Sequence, residues 1–100
     1  MTIQLSTTVR NGRLDSIETV VGTSAILLLR TGAPPANVAA ANSGTVLATL
    51  NLPADWMDAA ASGSKAKAGT WQDASADGTG TCGHFRLYAS DGTTAHIQGT

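Results

Sequence analysis

Hydrophobic and polar positions recur with a helical period at the start of this chain and with a period of two further on, and these periods divide it into elements. From Ser6 to Val21 the spacing predicts one amphipathic helix, with Ser6 or Thr7 as N-cap and Gly22 placed to end it. Val9, Leu14, Ile17, Val20 and Val21 share its apolar arc, and Asn11, Asp15 and Glu18 lie outside it. Gly12 costs the helix about 1 kcal/mol against alanine and marks a place for a break. Such an arc needs a dock, either on a sheet of its own domain or on another subunit.

Ala25 to Arg30 is a short apolar run between Gly22 and Gly32, which suits a strand buried on both faces. Gly44 to Leu52 alternates, with Val46, Ala48, Leu50 and Leu52 pointing one way and Thr45, Leu47, Thr49 and Asn51 the other. Between them, Thr31 to Ser43 holds the adjacent Pro34 and Pro35 among small residues and is expected to be a surface loop open to contacts. Pro53 stops the second strand, and Ala54 to Ala61 is expected to form a short second helix with Trp56 and Met57 toward the core. Ser62 to Gly69, with Lys65 and Lys67, is expected to be a mobile tip, the competing expectation being a contact with an acidic partner. A weak strand pattern surrounds Trp71 in Thr70 to Ala76.

The last stretch, Gly83 to Thr100, predicts a hairpin whose side chains select the loop length. A two-residue loop at Asp91-Gly92 sets Leu87 opposite His96 and Arg86 opposite Ile97, mixing polar and apolar residues. A three-residue loop, Ser90-Asp91-Gly92 with Gly92 left-handed, sets Phe85 opposite Ile97, Leu87 opposite Ala95 and Arg86 opposite His96. Phe85, Leu87, Ala89, Ala95 and Ile97 then form one face, and His84, Arg86, Tyr88, Thr94, His96 and Gln98 the other. The whole pattern predicts a single, mainly β domain over residues 1–100: a two-layer antiparallel β-sandwich with an N-terminal helix and a short second helix.

Composition narrows the function more than the fold. Charged residues make up 13% of the chain, about half the usual share, and Thr, Ser, Ala and Gly replace them. Such a surface favours packing against neighbours, so a homo-oligomer is expected. The net charge of -1 gives no field to recruit nucleic acid or an anionic membrane, and the longest apolar run, Ala25 to Leu29, is too short to span a bilayer. The N-terminus lacks the basic start and apolar run of a signal peptide.

Cys82 is the single cysteine, which excludes an internal disulfide and a cysteine-based zinc site, and it is expected to be a partly buried residue beside a turn. His84 and His96 fall on one polar strand face beside Arg86, with no carboxylate between them to orient a general base and no third ligand for a metal. Asp73, Asp77 and Asp91 sit near glycines as turn formers, without the alternating acidic loop of a calcium site. Asp77 to Thr81, DGTGT, lacks the Lys-Ser/Thr pair and the following helix of a phosphate cradle. No catalytic, cofactor or metal site is therefore expected. Trp71 and Tyr88, if both exposed, would form a platform on which a sugar could stack.

Taken whole, the run MTIQLSTTVRNGRLDSIETVVG, then ILLLRTGAPPANVAAANSGTVLATLNLPADWM, then GTWQDASADGTGTCGHFRLYASDGTTAHIQGT resembles a family of small structural proteins of tailed bacteriophages and prophages. The resemblance implies a non-enzymatic virion component, made in the bacterial host cytoplasm and present in many copies. Capsid decoration and a head-tail neck or tail accessory role both fit it, with capsid, portal, neck or tail proteins as partners. It also implies relatives that continue beyond Thr100, so the end at Thr100 fits either a shortened form or a last strand whose edge is partnered by another subunit. Val9, Ile17, Val20 and Val21 on the helix and Pro34 and Pro35 in the loop are the expected assembly contacts. The alternative is a carbohydrate- or host-receptor-binding β-sandwich module of a phage fibre or spike, using Trp71 and Tyr88.

Overall fold

In the computed structural model, which describes residues 2–100, Ser6 holds an extended backbone and its hydroxyl oxygen accepts from the Val9 backbone N–H at 3.2 Å. This cap opens helix α1, Thr7–Val21, which runs through Gly12 without a break. Gly22 ends the helix at φ +88°, its N–H donating to the Glu18 carbonyl, because a residue with a Cβ resists that conformation.

Four strands follow: β1, Ile26–Thr31; β2, Val46–Asn51; β3, Cys82–Tyr88; and β4, Ala95–Gly99. They form one antiparallel sheet in the order β2-β1-β3-β4. The apolar run of β1 thus occupies an interior position, paired on both sides, as its composition requires. Leu27 stands between Leu50 and Leu87, and Leu29 between Ala48 and Phe85, which assigns one sheet face to apolar residues. Arg86 and Leu28 pair on the opposite face, beside His84 and Tyr88.

Between Phe85 and Gly99 the ladder departs from the expected register. The Ala89 N–H donates to the Thr94 carbonyl and Tyr88 faces Ala95, so the turn residues are Ser90 to Thr93. Asp91 causes this. Its carboxylate accepts from the backbone N–H groups of Thr93 and Thr94 at 2.9 Å each and from the Thr94 hydroxyl, drawing an extra residue into the turn. Gly92 takes the expected left-handed conformation at φ +71°. An irregularity between Leu87 and Tyr88 then lets β4 gain a residue at His96, so that Leu87 faces Ile97, Arg86 faces Gln98 and Phe85 faces Gly99. Phe85, Leu87 and Ile97 share a face as expected, but Arg86 is opposite Gln98 and not His96.

Ala54 to Ala61 is not helical. Residues 56–68 instead make a narrow ribbon with bridges Met57 to Lys67 and Ala61 to Ser64, closed by a turn in which Ser62 (φ 52°) and Gly63 (φ 73°) are both left-handed. That conformation suits a two-residue hairpin turn, and the serine-glycine pair outcompetes the helical tendency of the alanines. Thr70 to Ala76 forms no strand either. It runs along β2, where Asp73 accepts the Thr49 backbone N–H, the Asp77 N–H donates to the Leu47 carbonyl, and the Asp77 carboxylate accepts the Thr49 hydroxyl. These bonds close the outer edge of β2.

The core lies on the apolar face, where Val21, Ala25, Leu52, Trp56 and Leu87 cluster. Trp56 is buried as expected, its indole N–H donating to the Gly22 carbonyl at 2.8 Å, and its ring meets Trp71 at 6.0 Å between centroids. The described residues thus contain one helix and one four-stranded sheet, with irregular segments on both faces.

Candidate functional site

Two surfaces of the sheet have opposite fates. The polar face of β3 is buried. Arg86 is 1% exposed, and its guanidinium donates to the Val38 carbonyl at 2.6 Å, the Ala40 carbonyl at 3.2 Å and the Asn42 side-chain oxygen at 2.6 Å. Tyr88 is fully buried beside it, 5.8 Å from ring centroid to guanidinium carbon, and its hydroxyl shares the Asn42 oxygen. His84 Nδ1 meets the Gly32 carbonyl at 2.9 Å, Gln98 donates to the Pro35 carbonyl, and Arg30 donates to the carbonyls of Ser43 and Gly44. The acceptor at Gly32 places the imidazole proton on Nδ1.

The loop from Gly32 to Gly44 is what covers this face, and its composition explains how. Adjacent prolines and small residues leave it without a regular internal ladder, so its carbonyls remain free, and the arginine fork supplies donors that the backbone lacks. Close approach is essential at the loop's ends. A Cβ on Gly83 would stand 2.1 Å from the Gly32 carbonyl oxygen, and one on Gly44 would stand 2.0 Å from that of Thr31. The loop is thus a surface segment, as expected, but is tied down on its inner side, with Pro34 and Pro35 half-buried and residues 36–39 exposed. Tyr88 faces away from Trp71, which lies on the apolar side, so the two form no joint platform. His84 is buried, half-buried His96 lies on β4, and Cys82 is exposed at the start of β3 rather than partly buried.

The apolar face is covered only in part. Ile17, Leu27, Leu29, Trp56, Phe85 and Ile97 help line a groove of about 420 Å³ with an entirely apolar wall. A second hollow of about 250 Å³ shares Ile17 and Ile97 with it and extends along α1 past Val20, with His96 on its other bank. The helix stands off the sheet because its dock is the 56–68 ribbon. Lys65 is the pin: its side chain is 3% exposed and its ammonium lies 2.7 Å from Asp15 and 3.0 Å from Glu18. Asp15 also accepts the Ala60 N–H, and Asn11 accepts that of Gly63. The segment expected to be a mobile tip is thus ordered, and the acidic partner of Lys65 is the chain's own helix.

Charge in this pin is strongly paired. The hydrogen bond from Lys65 holds the Asp15 carboxyl below its ordinary value, helped by the Ala60 N–H, and lowers Glu18 in the same way. Asp55 is raised, chiefly through its hydrogen bond with Glu18, and Lys65 is raised by Asp15.

Of the expected contact residues, Val9, Ile17 and Val20 are exposed and Val21 is buried in the core; Val20, at 66%, has most of its surface in solvent. Groove residues Leu27, Leu29, Phe85 and Leu87 escaped notice in the sequence because their alternation reads as ordinary core. The buried set Arg30, His84 and Arg86, with half-buried Gln98 beside it, escaped it because a polar period of two reads as a wet face. Its one signal was the cover: a loop of unpaired carbonyls with no ladder of its own.

Among the described residues no group of three His, Cys, Asp or Glu side chains gathers as a metal site, and no helix is long and apolar enough to cross a membrane. No family model, curated protein or solved structure matches the chain.

Proposed function

We propose that this chain is a non-enzymatic structural component of a tailed-phage virion, acting through protein-protein contacts in a capsid-decoration or head-tail accessory position. One observation carries the assembly part of this reading: the apolar side of α1 and the adjoining groove are open, while Arg30, His84 and Arg86 are buried as ties for a loop. The phage setting rests on the resemblance of the whole sequence. In an assembly, a neighbour seated on the apolar face supplies the second layer that a β-sandwich requires, and α1 with Val9, Ile17 and Val20 borders that contact.

The test is incorporation into particles. Val20→Asp changes an exposed position, so the isolated chain keeps its stability to within about 0.5 kcal/mol, whereas incorporation falls at least tenfold. Particles that take up the folded Val20→Asp and Ile17→Asp chains at the normal level overturn the helix as the contact. A chain absent from purified particles altogether overturns the virion assignment.

A further inference from the structure

We infer that copies of this chain join by arm exchange, in which the N-terminal arm Thr2–Ser6 of one copy adds as a strand to the β4 edge of another. This deepens the assembly reading above and rests on it. The arm alternates, with Ile3 and Leu5 on one side and Thr2, Gln4 and Ser6 on the other. Ile3 is 82% exposed and Leu5 is exposed too, so the arm's apolar side has no cover in its own chain.

The two sheet edges are treated differently. β2 is closed by Asp73 and Asp77, whereas β4 pairs only with β3 and, among the described residues, no backbone hydrogen bond leaves its outer side. An open edge is a template for an added strand, and unused edges are normally blocked as β2 is. The groove opens at this edge, through Ile97 and His96.

Side chains select a register. Setting Gln4 antiparallel to Gln98 places Leu5 opposite Ile97 and Ile3 opposite Gly99. Leu5 and Ile3 then turn toward the apolar groove. Gly99 has no side chain, and a Cβ there would stand 2.9 Å from the Phe85 ring, so Ile3 can cover that ring from the next strand over. On the other face the Gln98 Oε1 is buried with no donor among the described residues, and the Gln4 amide brings one.

The occupant must come from a second copy. Ser6 is fixed as the cap of α1, and the hollow beside β4 begins at Ser16, about 15 Å along the helix. Leu5, one residue from the cap, cannot cover that distance in its own chain.

Sedimentation velocity on the full chain and on Ile3→Asp/Leu5→Asp reads the exchange. The unaltered chain is expected to associate at tens of micromolar, and the variant to weaken association at least tenfold with an unchanged thermal midpoint. Mixing Leu5→Cys chains with mass-tagged Ile97→Cys chains, both carrying Cys82→Ser, is expected to give a mixed disulfide in excess over the two like disulfides. Association of the arm variant as tight as that of the unaltered chain, or like and mixed disulfides in statistical proportion, overturns arm exchange and leaves assembly through α1 standing. A chain monomeric at millimolar concentration overturns arm exchange together with all self-assembly.

Discussion

Arg86 shows how a single side chain can replace a missing layer of structure. Its guanidinium reaches Val38, Ala40 and Asn42 in the middle of the loop, whose ends are held by Arg30, His84 and Gln98, and the loop in turn seals Tyr88 and His84. Arg86→Met fills a similar volume but takes their donor from the Val38 and Ala40 carbonyls and leaves the Asn42 oxygen with the Tyr88 hydroxyl alone, and it is expected to cost about 3 kcal/mol in denaturant unfolding. Arg86→Lys keeps the charge and loses the fork, so it recovers only part of that loss. Equal stability of Arg86→Met and the unaltered chain contradicts this role. The residue also marks a limit of what the sequence could tell. Its place on a polar strand face was legible, as was its company with His84, Tyr88 and Gln98, but period-two patterning says only that two faces differ. Which face is wet depends on where a distant segment lies. The register of the hairpin was illegible for a related reason: uniform pairing was assumed, while Asp91 lengthens the turn and the bulge at His96 restores the apolar match.

At the scale of elements, α1 was legible almost to the residue because its signals are local: a capping serine, a helical spread of valines and a closing glycine. The 56–68 ribbon was not, since alanines favour a helix until Ser62 and Gly63 fold the chain back and Lys65 finds two carboxylates on α1. That docking has a definite pH dependence. Asp15 and Glu18 have folded pKa values below their unfolded ones, so the unfolded chain takes up protons first as the pH falls. Their contribution is fully present above the ordinary carboxylate values of 3.8 and 4.5 and is lost as the pH drops through the lowered folded values. Asp55, raised by Glu18, acts in the opposite sense and offsets part of it. Lys65→Met is therefore expected to lower the thermal midpoint at pH 7 and to make a much smaller difference at pH 3. A midpoint difference as large at pH 3 as at pH 7 excludes the Lys65 pairs as the cause.

Over the whole molecule, the sheet has a face bound by ion pairs and a face bound by carbonyls. The ribbon and helix above the apolar face depend on Lys65, Asp15 and Glu18, while the ties of the loop over the polar face run to backbone carbonyls and to Asn42. Carbonyls and amides do not titrate. Acid should thus dismantle the chain from one side. Near pH 3 the emission of Trp56 and Trp71 is expected to shift to the red as the ribbon lifts, with the Tyr88 ring and Arg86 guanidinium signals in NMR spectra still dispersed. Simultaneous loss of both sets of signals would show a single cooperative unit instead. The fork of Arg86 on an untitratable loop is so expected to act as a keel: half of the sheet should keep its cover through a change of medium that strips the other half and widens the groove beside β4.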